Sequence, residues 1–108
     1  MNDKILTLLG FASKAGKLSY GFDTVKTALT QDKSKLVLMA NDVSPKTQKE
    51  INFFSGKSKA QRIVLENYNM ETVSHAVGRK CGVISVNDSS FADGLLSAIN
   101  VGRNLNDK

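Results

Sequence analysis

Along this chain, apolar residues fall either at helical spacing or in short unbroken runs. Ile5, Leu8, Leu9 and Ala12 recur at i, i+3, i+4 and i+7, which predicts an amphipathic helix over 4–14. Gly16 ends it, because glycine accepts the left-handed backbone that terminates helices. Phe22, Val25, Ala28 and Leu29 predict a second helix over 22–31. Leu36-Val37-Leu38-Met39-Ala40 is wholly apolar between polar flanks, the pattern of a strand covered on both faces. Ser44 as N-cap and Pro45 at the first helical position start a helix over 45–54, with Ile51, Phe53 and Phe54 available to the core. Residues 61–66 hold a second strand, Ile63-Val64-Leu65. A short helix over 70–77 closes at Gly78, and Val83-Ile84-Ser85-Val86 is a third strand. The last helix spans 90–103, with Phe91, Leu95, Ala98 and Ile99 facing inward. Asp88, Ser89 and Ser90 offer it caps, and Ser90 with Asp93 has capping-box spacing. Gly94 inside that helix costs about 1 kcal/mol against Ala, which marks a close packing contact.

Strands alternating with helices predict an α/β protein, a three-layer α/β/α sandwich around a small sheet that is mostly parallel or mixed. A chain of 108 residues forms one domain, 1–108. Ligands of such folds bind at the carboxyl ends of strands. Those ends carry Asn41-Asp42-Val43-Ser44 and Asn87-Asp88-Ser89-Ser90. No apolar stretch approaches the ~20 residues of a membrane span. The start lacks the pattern of a secretory signal, and the lone Cys81 fits a reducing compartment. The expected location is cytoplasmic, with no membrane partner.

Charge changes this picture most. Residues 1–66 hold eleven Lys and Arg against six Asp and Glu; residues 67–108 hold four of each, so the whole net charge of +5 lies in the first part. A one-sided positive field concentrates polyanions, and nucleic acid is the natural one. The charge alone also describes a soluble protein with a solvated lysine face.

Catalytic chemistry finds little support. His75 has no metal ligands at suitable spacing, though Glu71, four residues earlier, can pair with it. Arg79-Lys80 precede Cys81 and would favour its thiolate modestly, yet no base accompanies it and a structural thiol is the simpler reading. Ser55-Gly56-Lys57-Ser58 lacks the first glycine of a phosphate loop, and it follows a helix instead of a strand, so it reads as a basic surface loop. At Asp42–Pro45 the helix start can hold an anion, helped by Lys46 and Lys49 and opposed by Asp42 unless that carboxylate caps. No paired carboxylates suit acid–base work, and no cofactor motif is present. The expectation is a non-enzymatic protein without cofactors.

The segment Ala12-Ser13-Lys14-Ala15-Gly16-Lys17-Leu18-Ser19-Tyr20-Gly21 is the richest, with two lysines and two glycines between helices. Glycines let a partner approach the backbone, and the next helix presents its positive end there. Lys14, Lys17 and Lys26 are candidates for phosphate contacts, Asp23 and Thr24 for base edges in an opened groove. An ordinary helix–helix turn is the competing reading.

These residues, with Lys35-Leu36-Val37-Leu38, Ala40, Asp42, Ser44-Pro45, Thr47, Lys49, Ala76-Val77-Gly78, Val86-Asn87-Asp88 and Phe91-Ala92, make the chain resemble the ribosomal protein L-seven-Ae / L-thirty-e family, which binds kink-turn RNA. The resemblance covers about residues 4–100 and is closest to the family's bacterial YlxQ-type branch. It implies the same sandwich and non-catalytic binding of structured RNA, kink-turn-like or ribosomal, in association with translation. It also implies ribosomal or translation proteins as further partners. The gripping positions it implies are Gly21, Phe22, Asp23, Thr24, Lys26 or Thr27, and Gly78-Arg79-Lys80-Cys81. Lys14, Lys17, Lys26 and Lys35 are expected to converge with them, and Lys46 adds positive potential at the third helix. Family members that read kink-turns typically place an Asn–Glu-like or Lys–Gln pair two and three residues after the glycine. Here Asp23 and Thr24 stand there, and a carboxylate cannot donate to a base as an amide can. A protein-interaction module that has lost RNA is the alternative this departure favours. A nucleotide-binding enzyme using the Asp42–Pro45 and Asp88–Ser90 turns ranks last.

Overall fold

A computed structural model describes residues 3–56 and 58–106, the last six of these by backbone alone. The elements run α1 (Lys4–Lys14), β1 (Leu18–Tyr20), α2 (Phe22–Thr30), β2 (Leu36–Ala40), α3 (Pro45–Ser55), β3 (Gln61–Leu65), α4 (Met70–Val77), β4 (Val83–Val86) and α5 (Ser89–Asn106). All five expected helices and the three expected strands are present. β1 is the addition: the sequence reads Leu18–Tyr20 as part of a turn, because three residues carry too little alternation to signal a strand.

The sheet order is β1-β4-β2-β3. β2 and β3 are parallel, while β4 runs antiparallel to both β1 and β2. The sheet is therefore mixed, not mostly parallel. The reason lies at one sheet end: Gly82 meets the finish of β2, where the Ala40 N–H donates to its carbonyl at 2.8 Å. A chain entering β4 beside the end of β2 can only run back against it. Val86 faces both Leu18 and Leu36 at the opposite end.

Every residue of β2 and β4 is buried, so both faces of the two central strands are covered. α2 packs on α3, and α1 packs on α4 and α5. Leu9, Val25, Leu36, Leu38, Ile51, Ile84 and Leu95 belong to one continuous core. Phe54 packs against that core, but Phe53 is 60% exposed. At about 100° per residue, Phe53 lies roughly 200° round the helix from buried Ile51, and Phe54 about 60°. The expectation that both rings are available to the core fails at Phe53 for that reason.

Caps hold the helix starts. Asp3 accepts from the Leu6 N–H at 3.1 Å, Ser44 from Thr47 at 3.2 Å and Asn69 from Thr72 at 2.8 Å. Asp88 accepts from Phe91 at 2.9 Å and starts α5, so Ser90 lies inside the helix and the Ser90–Asp93 box does not form. Gly94 faces Leu8, but the close contact expected there is not found: a Cβ would meet Leu8 Cδ1 at 3.7 Å, ordinary van der Waals contact. In the 55–58 loop Ser55 is buried at the end of α3, and Lys57 lies outside the described residues.

Asp3 has a second partner. Its other carboxylate oxygen accepts the Tyr68 hydroxyl, which ties the start of α1 to the loop before α4. Burial, then the hydrogen bond and negative charge of Asp3, push the Tyr68 phenol up to about 12. The folded state thus keeps a proton that the unfolded chain releases near pH 10. This contribution to stability is complete below pH 10 and is lost as pH climbs through about 12. Urea denaturation of the parent should show stability falling across that window, and Tyr68→Phe should flatten the fall. An equal fall in both proteins would mean that the pair does not set it.

Candidate functional site

Gly21 is the hinge between β1 and α2. Its backbone, at φ 87° and ψ 160°, lies in a region that only glycine occupies without strain. There its N–H donates to the Val83 carbonyl at 2.9 Å, and its own carbonyl accepts the Val25 N–H at 3.0 Å. Glycine brings no side-chain cap. Among the described residues, α2 is the one helix whose start no side chain caps. Exposed Asp23 and Thr24 and half-buried Phe22 form its first turn.

The bond from Gly21 to Val83 sets this turn beside the segment that feeds β4. Gly78 ends α4 in the left-handed conformation. Ser74 then fastens the loop: its hydroxyl donates to the Cys81 carbonyl at 3.0 Å and accepts the Cys81 N–H at 2.9 Å. Gly82 is confined by packing, since a Cβ there would come within 2.8 Å of Met70 Cε and 3.1 Å of Val43 Cγ2. Arg79 and Lys80 project from the loop and are exposed.

Tyr20 couples the two segments. The Arg79 guanidinium lies 5.0 Å from its ring centroid, a cation–π contact. The Ser13 hydroxyl donates its single proton to the Val77 carbonyl at 2.7 Å, so the Tyr20 hydroxyl must donate to Ser13 Oγ at 2.6 Å. One hydroxyl pair therefore links α1, β1 and the end of α4, and it aims Tyr20 at Arg79. Sequence reasoning missed Tyr20, Ser13 and Ser74 as positioning residues. Each is a short or aromatic polar residue next to a glycine turn or helix end, but their partners lie in distant parts of the chain.

The cations do not all gather here. The Lys17 carbonyl accepts the Asn87 N–H at 2.9 Å, and the Lys35 N–H donates to Val86 at 2.8 Å. Both lysines thus sit at the other end of β4 from Gly21, separated by four residues of strand, roughly 13 Å. Asn87 is anchored between them and the sheet, donating to Ser19 Oγ and accepting from Ser85 Oγ. Lys14 occupies the exposed last turn of α1, next to Ser13. Lys26 stands one turn into α2 with its ammonium 4.9 Å from the Phe54 ring centroid, and the exposed Thr27 turns its hydroxyl back onto the Asp23 carbonyl at 3.0 Å. Lys46 is exposed in the first turn of α3. The single lysine platform expected from the sequence is in fact distributed over three places.

Asp42 does not face the helix that follows it. Its carboxylate accepts the Met70 N–H at 2.8 Å and so supports the start of α4 beside the Asn69 cap. A groove of ≈ 860 Å³ opens here, with Asp42, Glu71, His75, Arg79 and Lys80 on its walls. His75 and Glu71 share this groove. Cys81 is buried, and burial pushes its thiol up, outweighing the smaller lowering by Arg79. The modest thiolate preference expected from Arg79-Lys80 is therefore reversed by desolvation.

Fold and site together define a small α/β/α sandwich whose uncapped, glycine-set helix start lies beside a cationic loop. Residues 3–93 match the profile of the ribosomal protein L7Ae/L30e/S12e/Gadd45 family, and the chain belongs to that family. An RNA-binding protein YlxQ of Enterococcus faecium is 29% identical over 90 residues, covering 82% of this chain and 84% of the relative. The large ribosomal subunit protein eL30 of Candida glabrata is 30% identical over 93 residues, covering 84% and 87%. Among solved structures, a Bacillus halodurans protein of unknown function superposes with a TM-score of 0.85 at 28% identity, over 92% of this chain and 99% of its own. The Giardia lamblia 15.5kD RNA binding protein shares the fold with a TM-score of 0.73 at 12% identity, over 93% and 88%. No helix among the described residues is long and apolar enough to cross a membrane.

Two outcomes test the site's construction. Gly21→Ala should lower stability by about 1–3 kcal/mol through backbone strain, read by urea denaturation; a change within about 0.5 kcal/mol, as at an ordinary surface position, would mean the turn relaxes freely. Cys81 in the native protein should react with a thiol reagent at neutral pH far more slowly than in the denatured chain. Equal rates would contradict its burial.

Proposed function

We propose that this protein is a non-catalytic binder of structured RNA, kink-turn-like or ribosomal, that works in the cytoplasm in association with the ribosome or the translation machinery. The observation that carries this reading is the junction at Gly21. The Gly21 bond to Val83 and the contact of Arg79 with Tyr20 bring the uncapped amide end of α2 beside the Arg79–Lys80 loop, so free backbone N–H groups and two cations are neighbours. Such an arrangement suits phosphates on both sides of a distorted helix, with Phe22, Asp23 and Thr24 between them. Family membership and the names of the relatives, an RNA-binding protein and a ribosomal protein, support it independently. Arg79 and Lys80 are the principal phosphate contacts, with Lys14 and Lys26 flanking. Lys17 and Lys35 contribute only long-range potential, screened beyond about one Debye length at physiological salt.

Asp23 favours a second reading. A carboxylate exposed in the first turn of α2 repels phosphate and cannot donate to a base, as expected of a protein-interaction module on the same scaffold. The Asp23→Asn variant separates the two.

Each neutralised phosphate adds roughly 0.7–0.9 to the fall of log K with log salt. Removing Arg79 and Lys80 together should therefore lower that slope by roughly 1.4–1.8 on a kink-turn RNA, whereas Lys17→Ala with Lys35→Ala should leave it nearly unchanged. Asp23→Asn should raise the preference for the kink-turn over a matched regular duplex. A parent protein with no measurable affinity for either RNA would overturn the proposal and leave the interaction-module reading.

A further inference from the structure

We propose that the α2–α3 face carries a second contact, a platform on which an unpaired nucleotide flanking the structured RNA stacks against Phe53. The inference rests on the RNA-binding reading above and extends it to an element that reading does not use.

The chain has five Phe and two Tyr, and two of these rings stand side by side at the end of α3. Phe53 and Phe54 meet edge to face, centroids 5.3 Å apart at 83°, and Phe54 is seated on the core. Phe54 thus steadies a ring that is 60% exposed. Lys46, Lys49 and Glu50 line with both rings a shallow hollow of ≈ 440 Å³. Positions 46, 49 or 50, and 53 fall at i, i+3 or i+4, and i+7, so they form one stripe along the exposed side of α3. Lys26 reaches the same place from α2, its ammonium over Phe54. Three lysines against one carboxylate surround an aromatic surface.

That combination selects the occupant. An exposed ring among cations matches the π-face of a base joined to phosphates on either side. A regular duplex offers no free base face, whereas an unpaired nucleotide does. Lys26 lies three residues past Asp23, so the platform begins where the first turn of α2 ends, and one RNA can reach both.

The test compares a blunt kink-turn hairpin with the same hairpin carrying a short unpaired extension at its 5′ or 3′ end, by fluorescence anisotropy. The parent should bind one extended form at least about fivefold more tightly than the blunt form, the lower end for stacking of one base. Phe53→Ala should lose that increment and keep blunt binding, Phe53→Tyr should keep both, and Lys49→Glu should reduce the increment without touching the rings. Unchanged thermal unfolding of each variant shows that the fold is intact. If the blunt hairpin binds and the extension adds nothing, or Phe53→Ala keeps the increment, the platform is refuted while the RNA reading stands. Binding of neither RNA by the parent sinks both. A concentration-dependent dimer abolished by Phe53→Ala would instead assign this face to a second copy of the chain.

Discussion

The three-residue pairing of β1 with β4 is the constraint on which the candidate site depends. Through it, the Tyr20 ring and the Gly21 amide come to rest beside Val83. Without that pairing the start of α2 and the loop after α4 would be separate surface features, far apart in sequence. β1 is an edge strand of minimal length, so its own ladder holds it weakly. It is reinforced from outside the sheet by the Ser13–Tyr20 hydroxyl pair and by Asn87, which grips Ser19 from the far end of β4. Of these, the Ser13–Tyr20 pair also orients the site, because Tyr20 carries Arg79.

Charge in this protein is organised by position, not by total. The excess of lysine in the first two-thirds of the sequence suggests one strong patch. The strands divide it, because a chain that crosses a sheet repeatedly leaves alternate turns at opposite ends. Lys17 and Lys35 precede their strands and so lie at the Asn87 end. Gly21 and Asn41 follow theirs and lie at the Gly82 end. The neutral final third of the chain supplies Arg79 and Lys80 to that second end, two cations that the sequence tally gives no weight. Local geometry at one turn therefore matters more to the reading of function than the global imbalance of +5.

Much of the fold is legible in the sequence because its signals are local. The helical spacing of Ile5, Leu8, Leu9 and Ala12, the apolar run 36–40 and the Ser44-Pro45 start each depend on neighbours within one or two turns. Tyr20, by contrast, gives no sign that it joins a strand, since its partner Ile84 is far away in sequence. Asp42 looks like a cap for α3 but supports α4, a choice settled only when the loop at Tyr68 packs against Asn41. The site is legible in part for the same reason. Gly21 and Gly78 announce unusual backbone, and the family resemblance names their neighbours. That Arg79 is held by Tyr20, and that Lys35 stands at the wrong end to join it, follow from topology that no spacing encodes.

In the proposed function, polyanion contact is confined to the Gly21–Gly82 end of the sheet and the adjoining face of α2 and α3. Backbone amide chemical shifts of the isotopically labelled protein, recorded while a structured RNA is titrated in, test it most directly. The largest changes should fall at Phe22, Asp23, Thr24, Arg79 and Lys80, with little movement at Lys17, Lys35 and Asn87. Shifts concentrated around Asn87, with the α2 start silent, would contradict it.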